Sequence, residues 1–192
     1  MSTTPAIAGR TDAFSFAVPR IATARCLLRE PRWTDFERFA ANAADPLARK
    51  HVDGPLERRE ASRRFSAMAG AWVLHGIGWW VIEERRLGAI GTVGVFRRET
   101  APDLEIGWSV DRPCWGKGYA SEAARAALEL THATFTGERV VAFVDATNVA
   151  SCAVAARIGM RREADADFYG EKHCFYVSVP GSAAKGAPPP GV

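Results

Sequence analysis

The sequence predicts an α/β or α+β domain built on a mixed sheet. Strand-like and helix-like periodicities alternate along the chain. A glycine-rich turn joins one predicted strand directly to one predicted helix near the middle of the sequence. The 192 residues are 47% hydrophobic and 24% charged, which is typical of a single soluble globular domain.

The first half is predicted to hold one strand, two helices and a hairpin, at 25–29, 34–44, 56–75, 79–84 and 87–96. Pro31 follows the apolar first strand. Apolar residues at helical spacing indicate both helices, which end at Asp45-Pro46 and at Gly76. Glycines at 88, 91 and 94 in the second hairpin strand indicate a bulge or a close approach of backbone.

The second half is predicted to alternate strands and helices, at 104–110, 120–133, 139–146, 148–158, 161–164 and 172–179. The run LEIGWSV alternates apolar with small or polar residues, which is the period of a strand. Asn148 is a good N-cap for the last helix, and Gly159 ends it. The predicted order is therefore β-α-α-β-β-β-α-β-α-β-β.

Both ends of the chain differ in composition from its centre. Residues 1–24 show little periodicity, and we expect an extended or loosely ordered lead-in. Residues 180–192 are rich in proline and glycine and cannot build a core, so we expect a disordered tail. This leaves 25–179 as the predicted domain.

Charge and hydropathy argue against several classes of protein. The net charge of +3 is too small to indicate nucleic-acid binding, and the arginines of the second helix are best read as a solvated face. No apolar run approaches the roughly 18 residues of a membrane span, and no secretory signal precedes the domain.

The four cysteines are Cys26, Cys114, Cys152 and Cys174, and they form no CxxC pair. This spacing favours neither a zinc site nor a disulfide framework. We expect no metal, and we expect reduced thiols in a cytoplasmic protein.

The central motif is the run EIGWSVDRPCWGKGYASE at 105–122. A strand, a glycine-rich turn and a helix start make a cradle for an anion, because free N–H groups at the helix start point toward it. The motif is not a Walker loop, since Asp111 and Gly118 stand where glycine and serine or threonine would be needed. It is not a dinucleotide fingerprint, since Ser121 replaces the third glycine.

The loop resembles the pyrophosphate loop of the GNAT N-acetyltransferases, [QR]-x-x-G-x-[GA], with Trp115, Gly118 and Ala120 in the first, fourth and sixth places. The tryptophan, the flanking EIGW and GYASEA, and the later run NVASCAVAARIGM are similar to the Rim-type branch, the ribosomal-protein N-terminal acetyltransferases. The resemblance covers about 25–179. It implies an α+β, three-layer fold with helices on both faces of a mixed sheet, which splays around acetyl-CoA.

The resemblance also implies which residues bind acetyl-CoA. The backbone of Trp108, Ser109 and Val110 would contact the thioester and the pantetheine arm. The cradle would hold the pyrophosphate through Trp115, Gly116, Lys117, Gly118, Tyr119, Ala120 and Ser121. Asn148, Ser151 and Arg157 would complete the cofactor site, although Asn148 could serve only as an N-cap and Arg157 could lie in solvent.

Two residues are candidates for proton transfer. Glu105 shares a strand face with Gly107 and Ser109, and burial in a cleft would raise its pKa toward the range that suits a general base, acting directly or through a water. Its alternative is a solvent-facing or salt-bridged carboxylate. Ser151 could donate a proton or a hydrogen bond to the CoA sulfur, or it could only satisfy local backbone.

The resulting hypothesis is an N-acetyltransferase that moves an acetyl group from acetyl-CoA to a primary amine by direct attack. The acceptor could be a protein N-terminus or a small molecule, because one fold serves many acceptors. The alternatives are a non-catalytic acyl-CoA-binding sensor and, more remotely, a basic nucleic-acid-binding domain. A homodimer through sheet edges or the second helix is possible.

Overall fold

The structure, a computed structural model, describes residues 17–99, 101–163, 165–168 and 171–178. Its strands are β1 (Ile21–Ala22), β2 (Cys26–Arg29), β3 (Trp79–Glu84), β4 (Gly88–Arg97), β5 (Leu104–Val110), β6 (Val140–Asp145), β7 (Arg161–Arg162), β8 (Ala166–Phe168) and β9 (Glu171–Ser178). Its α-helices are α1 (Phe36–Ala44), α2 (Arg58–His75), α3 (Tyr119–Thr134) and α4 (Val149–Arg157).

One mixed sheet connects all the described strands. The order is β1-β2-β3-β4-β5-β6-β9-β7, with β8 paired to β9. The predicted α+β class and the predicted order of the main elements are confirmed. The strands β1 and β8 were not predicted: β1 lies in the predicted lead-in, and β8 lies between the last two predicted strands. Residues 1–16 of the predicted lead-in and the whole predicted tail, 180–192, lie outside the described residues, as does the predicted domain end at 179, so the domain limits stay predictions.

The sheet opens between β5 and β6. Strand β5 pairs with antiparallel β4 at seven positions. It pairs with parallel β6 only at Leu104↔Val140 and Glu105↔Val141, after which the two strands diverge. The splay implied by the resemblance is therefore present, with its closed end at Glu105.

Helices cover both faces of the sheet, as predicted. On one face, α3 and α4 pack on apolar strand residues such as Leu104, Ile106 and Val93 in the main core. On the other face, α1 and α2 share a second cluster that includes Phe36, Phe65 and Met68. These two cores pack on both faces of the sheet. The opening between β5 and β6 is a break in the pairing of its strands.

Strand β4 approaches the end of β5 very closely at Gly91. A Cβ atom built there would lie 2.2 Å from the Ser109 carbonyl oxygen and 2.8 Å from the Val110 Cα. The β3–β4 register also shifts next to this glycine, from Ile82↔Gly91 to Glu83↔Ala89. The glycine pattern in the sequence therefore correctly predicted both a bulge and a close approach.

We predict that Gly91→Ala lowers the free energy of unfolding by about 1–3 kcal/mol, because the new methyl group overlaps rigid backbone. The measurement is urea unfolding followed by circular dichroism. Gly70→Ala in α2 is the matched control: a Cβ there meets no atom within 4 Å, so it should raise stability by about 0.5–1 kcal/mol. Equal effects of the two substitutions would contradict the close approach.

Candidate functional site

The backbone of β5 presents unpaired groups to the opening. The Leu104 N–H donates toward β6, to the Arg139 carbonyl at 3.1 Å, whereas the Asp111 N–H donates toward β4, to Ile90 at 2.8 Å. Because these directions alternate along a strand, the even-numbered residues of β5 face β6. Beyond Glu105, no described strand pairs with β5 on that side. The backbone of Trp108 and Val110 therefore faces the opening, which supports two of the predicted cofactor contacts.

Ser109 lies differently from its two neighbours. Its backbone pairs with Thr92 in β4, and its hydroxyl accepts a hydrogen bond from the Asn42 side-chain amide in α1 at 3.0 Å. Strand alternation thus directs Ser109 away from the opening. The structure separates this residue from the predicted contacts at Trp108 and Val110.

The glycine-rich loop has the backbone that the cradle prediction requires. Gly116 and Gly118 have φ angles of 72° and 79°, a left-handed conformation that strains other residues. Gly118 is the N-cap of α3, and no described side chain bonds there as a cap. The first N–H groups of α3 are therefore available to an anion. In front of Gly116, a Cβ would meet no atom within 4 Å.

Two side chains of the glycine-rich loop bond to nearby backbone. The Trp115 indole N–H donates to the Val110 carbonyl, which ties the loop to the end of β5. The Lys117 ammonium donates to the Pro113 carbonyl at 2.9 Å. Tyr119, Ala120 and Ser121 form the first turn of α3.

A latch that the sequence did not reveal holds this loop against β2. The Arg25 guanidinium donates to the Lys117 carbonyl at 2.8 Å and to Glu122 at 2.7 Å, and it lies 4.4 Å over the Tyr119 ring. Burial raises the pKa of Glu122, but hydrogen bonds from Thr23 and Arg25 outweigh this effect and hold the pKa below its ordinary value. The latch fixes the first turn of α3.

Helix α4 begins beside the same opening. The Asn148 side-chain oxygen accepts the Ser151 backbone N–H at 3.0 Å, so its predicted N-cap role is confirmed. Its side-chain NH₂ group remains available for a ligand. Ser151 is half-buried in the first turn, and Arg157 is exposed in the last turn.

Glu105 lies at the closed end of the opening, at the last β5–β6 pair. Its side chain is buried, and both carboxylate oxygens accept hydrogen bonds from the Arg98 guanidinium, one of them at 2.8 Å. The salt-bridged alternative from the sequence is therefore realised. A base role for Glu105 requires this ion pair to exchange with substrate or water.

A second polar cluster lies at the far end of β6. The His51 Nδ1 is 2.7 Å from an Asp145 carboxylate oxygen, and the Thr147 hydroxyl donates to the same carboxylate. Burial raises the pKa of Asp145, but hydrogen bonds from the Thr147 N–H and from His51 outweigh this effect and hold the pKa below its ordinary value. This cluster ties the α1–α2 loop to the turn that leads to Asn148.

Two further searches cover the described residues. Within them, no three His, Cys, Asp or Glu side chains are grouped so that they could hold a metal ion. None of their helices combines the length and apolar character that a membrane crossing requires.

The sequence model of the acetyltransferase (GNAT) domain matches residues 25–161, most of the chain. The chain belongs to the GNAT acetyltransferase family. This confirms the predicted family, and the enzyme class that the cradle and the splayed sheet indicated.

Individual proteins match this chain in sequence or in structure. The Bacillus subtilis protein YkkB is 37% identical over 89 residues, which span 45% of this chain and 52%, about half, of YkkB. An acetyltransferase structure from Agrobacterium tumefaciens is 29% identical, with a TM-score of 0.77, over 88% of this chain and 99% of that one. The ribosomal L7/L12 alpha-N-protein acetyltransferase RimL, solved with coenzyme A, is 18% identical, with a TM-score of 0.68, over 85% and 99%. The likeness to RimL shows the shared fold.

We predict that Glu122→Gln lowers the free energy of unfolding by about 1–3 kcal/mol at neutral pH, because the charged latch with Arg25 is lost. The pKa of Glu122 is lower in the folded state. The stabilisation is therefore fully present above the unfolded pKa and disappears as the pH falls through the folded one. Urea unfolding between pH 7 and pH 3 measures this difference.

Glu129→Gln is the control for the latch. Glu129 is exposed on the same helix, and the described residues give it no ion pair. Its substitution should leave both stability and its pH dependence unchanged. Parallel stability curves for the wild type and Glu122→Gln at every pH would contradict the latch.

Proposed function

We propose that this protein transfers the acetyl group of acetyl-CoA to a primary amine by direct attack. The observation that carries the proposal is the backbone of β5, whose groups at Trp108 and Val110 face an opening that leads to the α3 cradle. An extended ligand with amide groups at one end and a pyrophosphate at the other matches this arrangement. Membership in the GNAT family supports the same assignment.

Acetyl-CoA would lie in the opening with its pyrophosphate at the α3 cradle and its pantetheine arm along β5. Amides from Gly116 to Ser121 would bind the pyrophosphate, with the Lys117 ammonium released from Pro113 as a further contact. The pantetheine arm would bond to the backbone of Trp108, to the Val110 N–H and to the Asn148 amide, since the Val110 carbonyl already accepts the Trp115 indole N–H. Arg157 would lie at the phosphate end. Acetyl-CoA supplies the activated thioester.

The chemistry needs no covalent enzyme intermediate. The amine nitrogen attacks the thioester carbon, and the C–S bond breaks as the tetrahedral intermediate collapses. Glu105 would take the amine proton, directly or through a water, once Arg98 yields one carboxylate oxygen. Ser151 would protonate the departing thiolate and regain its proton from solvent. Backbone N–H groups of β5 would stabilise the oxyanion.

The acceptor belongs to one of two classes, protein N-termini or small-molecule amines. Related structures include the ribosomal-protein acetyltransferase RimL and the microcin C7 self-immunity acetyltransferase MccE, solved with acetyl-CoA and AMP. A useful panel therefore combines peptides beginning with serine or alanine with spermidine and free amino acids. Thiol release from acetyl-CoA reports turnover for all of them.

We predict that the wild type binds acetyl-CoA in calorimetric titration and that Gly118→Trp does not, because the indole would fill the cradle. Gly137→Trp is the matched control, since Gly137 also has a left-handed φ, of 86°, but follows the other end of α3. The control should bind normally. Failure of the wild type to bind would refute the proposal, whereas binding without turnover on any amine would favour the non-catalytic sensor.

We predict that Glu105→Gln lowers kcat by about 100-fold, because a general base contributes roughly 10²–10⁴, while the Kd for acetyl-CoA stays unchanged. Arg98→Gln is the control: it breaks the same ion pair but retains the carboxylate, and it should retain most of the activity. Steady-state kinetics on the best acceptor measures both. Equal losses in the two variants would assign Glu105 a structural role instead.

A further inference from the structure

Three polar contacts join α1 to the end of β5 and the turn that follows it. The Arg38 guanidinium pairs with Asp111. The Asn42 side-chain amide donates to the Ser109 hydroxyl at 3.0 Å. Asp45, the C-cap of α1, pairs with Arg112 at 3.1 Å.

The contacting residues of α1 stand at positions i, i+4 and i+7, which lie on one face of a helix. That face of α1 therefore lies along the end of β5 and the turn that follows it. We call these three contacts the α1–β5 bridge.

The bridge holds the segment that connects the opening to the cradle. On the β6 side this segment has no paired strand. On the β4 side it rests against Gly91. Asp111, only 9% exposed, precedes the one-turn helix Arg112–Cys114 that leads into the glycine loop. Together with the pairing to β4 and the bond from the Trp115 indole to Val110, the bridge resists displacement of this segment away from α1.

We propose that Arg38, Asn42 and Asp45 are positioning residues for acetyl-CoA, a role that rests on the proposed function. They contact no ligand in this scheme. They hold the β5 backbone at the spacing from β6 that the pantetheine arm requires. Without the bridge, a fraction of the molecules would hold the end of β5 in a displaced position that does not bind acetyl-CoA. The apparent Kd would rise in inverse proportion to the fraction of molecules that can still bind.

The test is the double variant Arg38→Ala with Asn42→Ala, titrated calorimetrically with acetyl-CoA. We expect the apparent Kd to rise about tenfold if the competent fraction falls to roughly a tenth. Saturating acetyl-CoA should restore kcat. Arg38→Lys alone, which keeps the charge, should bind nearly as well as the wild type.

Glu37→Ala is the matched control. It breaks the exposed Glu37–Arg58 pair between α1 and α2 without touching β5, so its Kd should equal that of the wild type. The thermal unfolding midpoint of each variant shows whether a change in its Kd comes with a loss of stability. A double variant with a lower midpoint and an unchanged Kd would reduce the bridge to a structural role and overturn the inference.

Amide hydrogen exchange gives a readout that needs no ligand. Exchange at Ser109 and Asp111 should accelerate in the double variant and not in Glu37→Ala, while exchange in the core of α3 stays the same. If the wild type bound no acetyl-CoA, the proposed function would fail whatever the exchange rates. If the wild type bound acetyl-CoA and the double variant matched it in Kd and exchange, the positioning role alone would fail.

Discussion

The divergence of β5 from β6 is the constraint on which the rest of the structure depends. A buried backbone N–H or C=O without a partner is costly, yet β5 gives up its partner on one side after only two paired positions. Of the groups beyond that pairing, the Val110 carbonyl accepts the Trp115 indole N–H, and the others are left to bond to water or to a ligand. The opening lies at the carboxyl ends of two parallel strands, where open α/β sheets bind ligands as a rule.

Four contacts limit the movement of the β5 and α3 walls of the opening. Gly91 lets β4 press against the β5 backbone, the Trp115 indole bonds to Val110, and α1 bonds to the far side of the strand end. The Arg25–Glu122 pair holds the first turn of α3. A site whose walls are fixed before binding loses less conformational freedom when the ligand enters.

The sequence predicted secondary-structure elements and motifs better than contacts between distant side chains. Asn148 could be read as an N-cap because the residue and the N–H that it bonds are three positions apart. The bulge near Gly91 could be read from glycine spacing. Glu105 was placed on the correct face of its strand, but its ion pair with Arg98 decides whether the carboxylate is free, and neither periodicity nor motif encodes that pair.

By itself, the sequence determined the α+β class, the glycine cradle and the family resemblance, because each depends on residues close together in the chain. The tertiary structure alone decided that Ser109 faces Asn42, 67 positions away, and that Arg25 reaches Glu122 across 97. It alone joined His51 to Asp145, 94 positions apart. Such pairs leave no local period in the sequence, because they form only when packing of the helices on the sheet brings distant segments together.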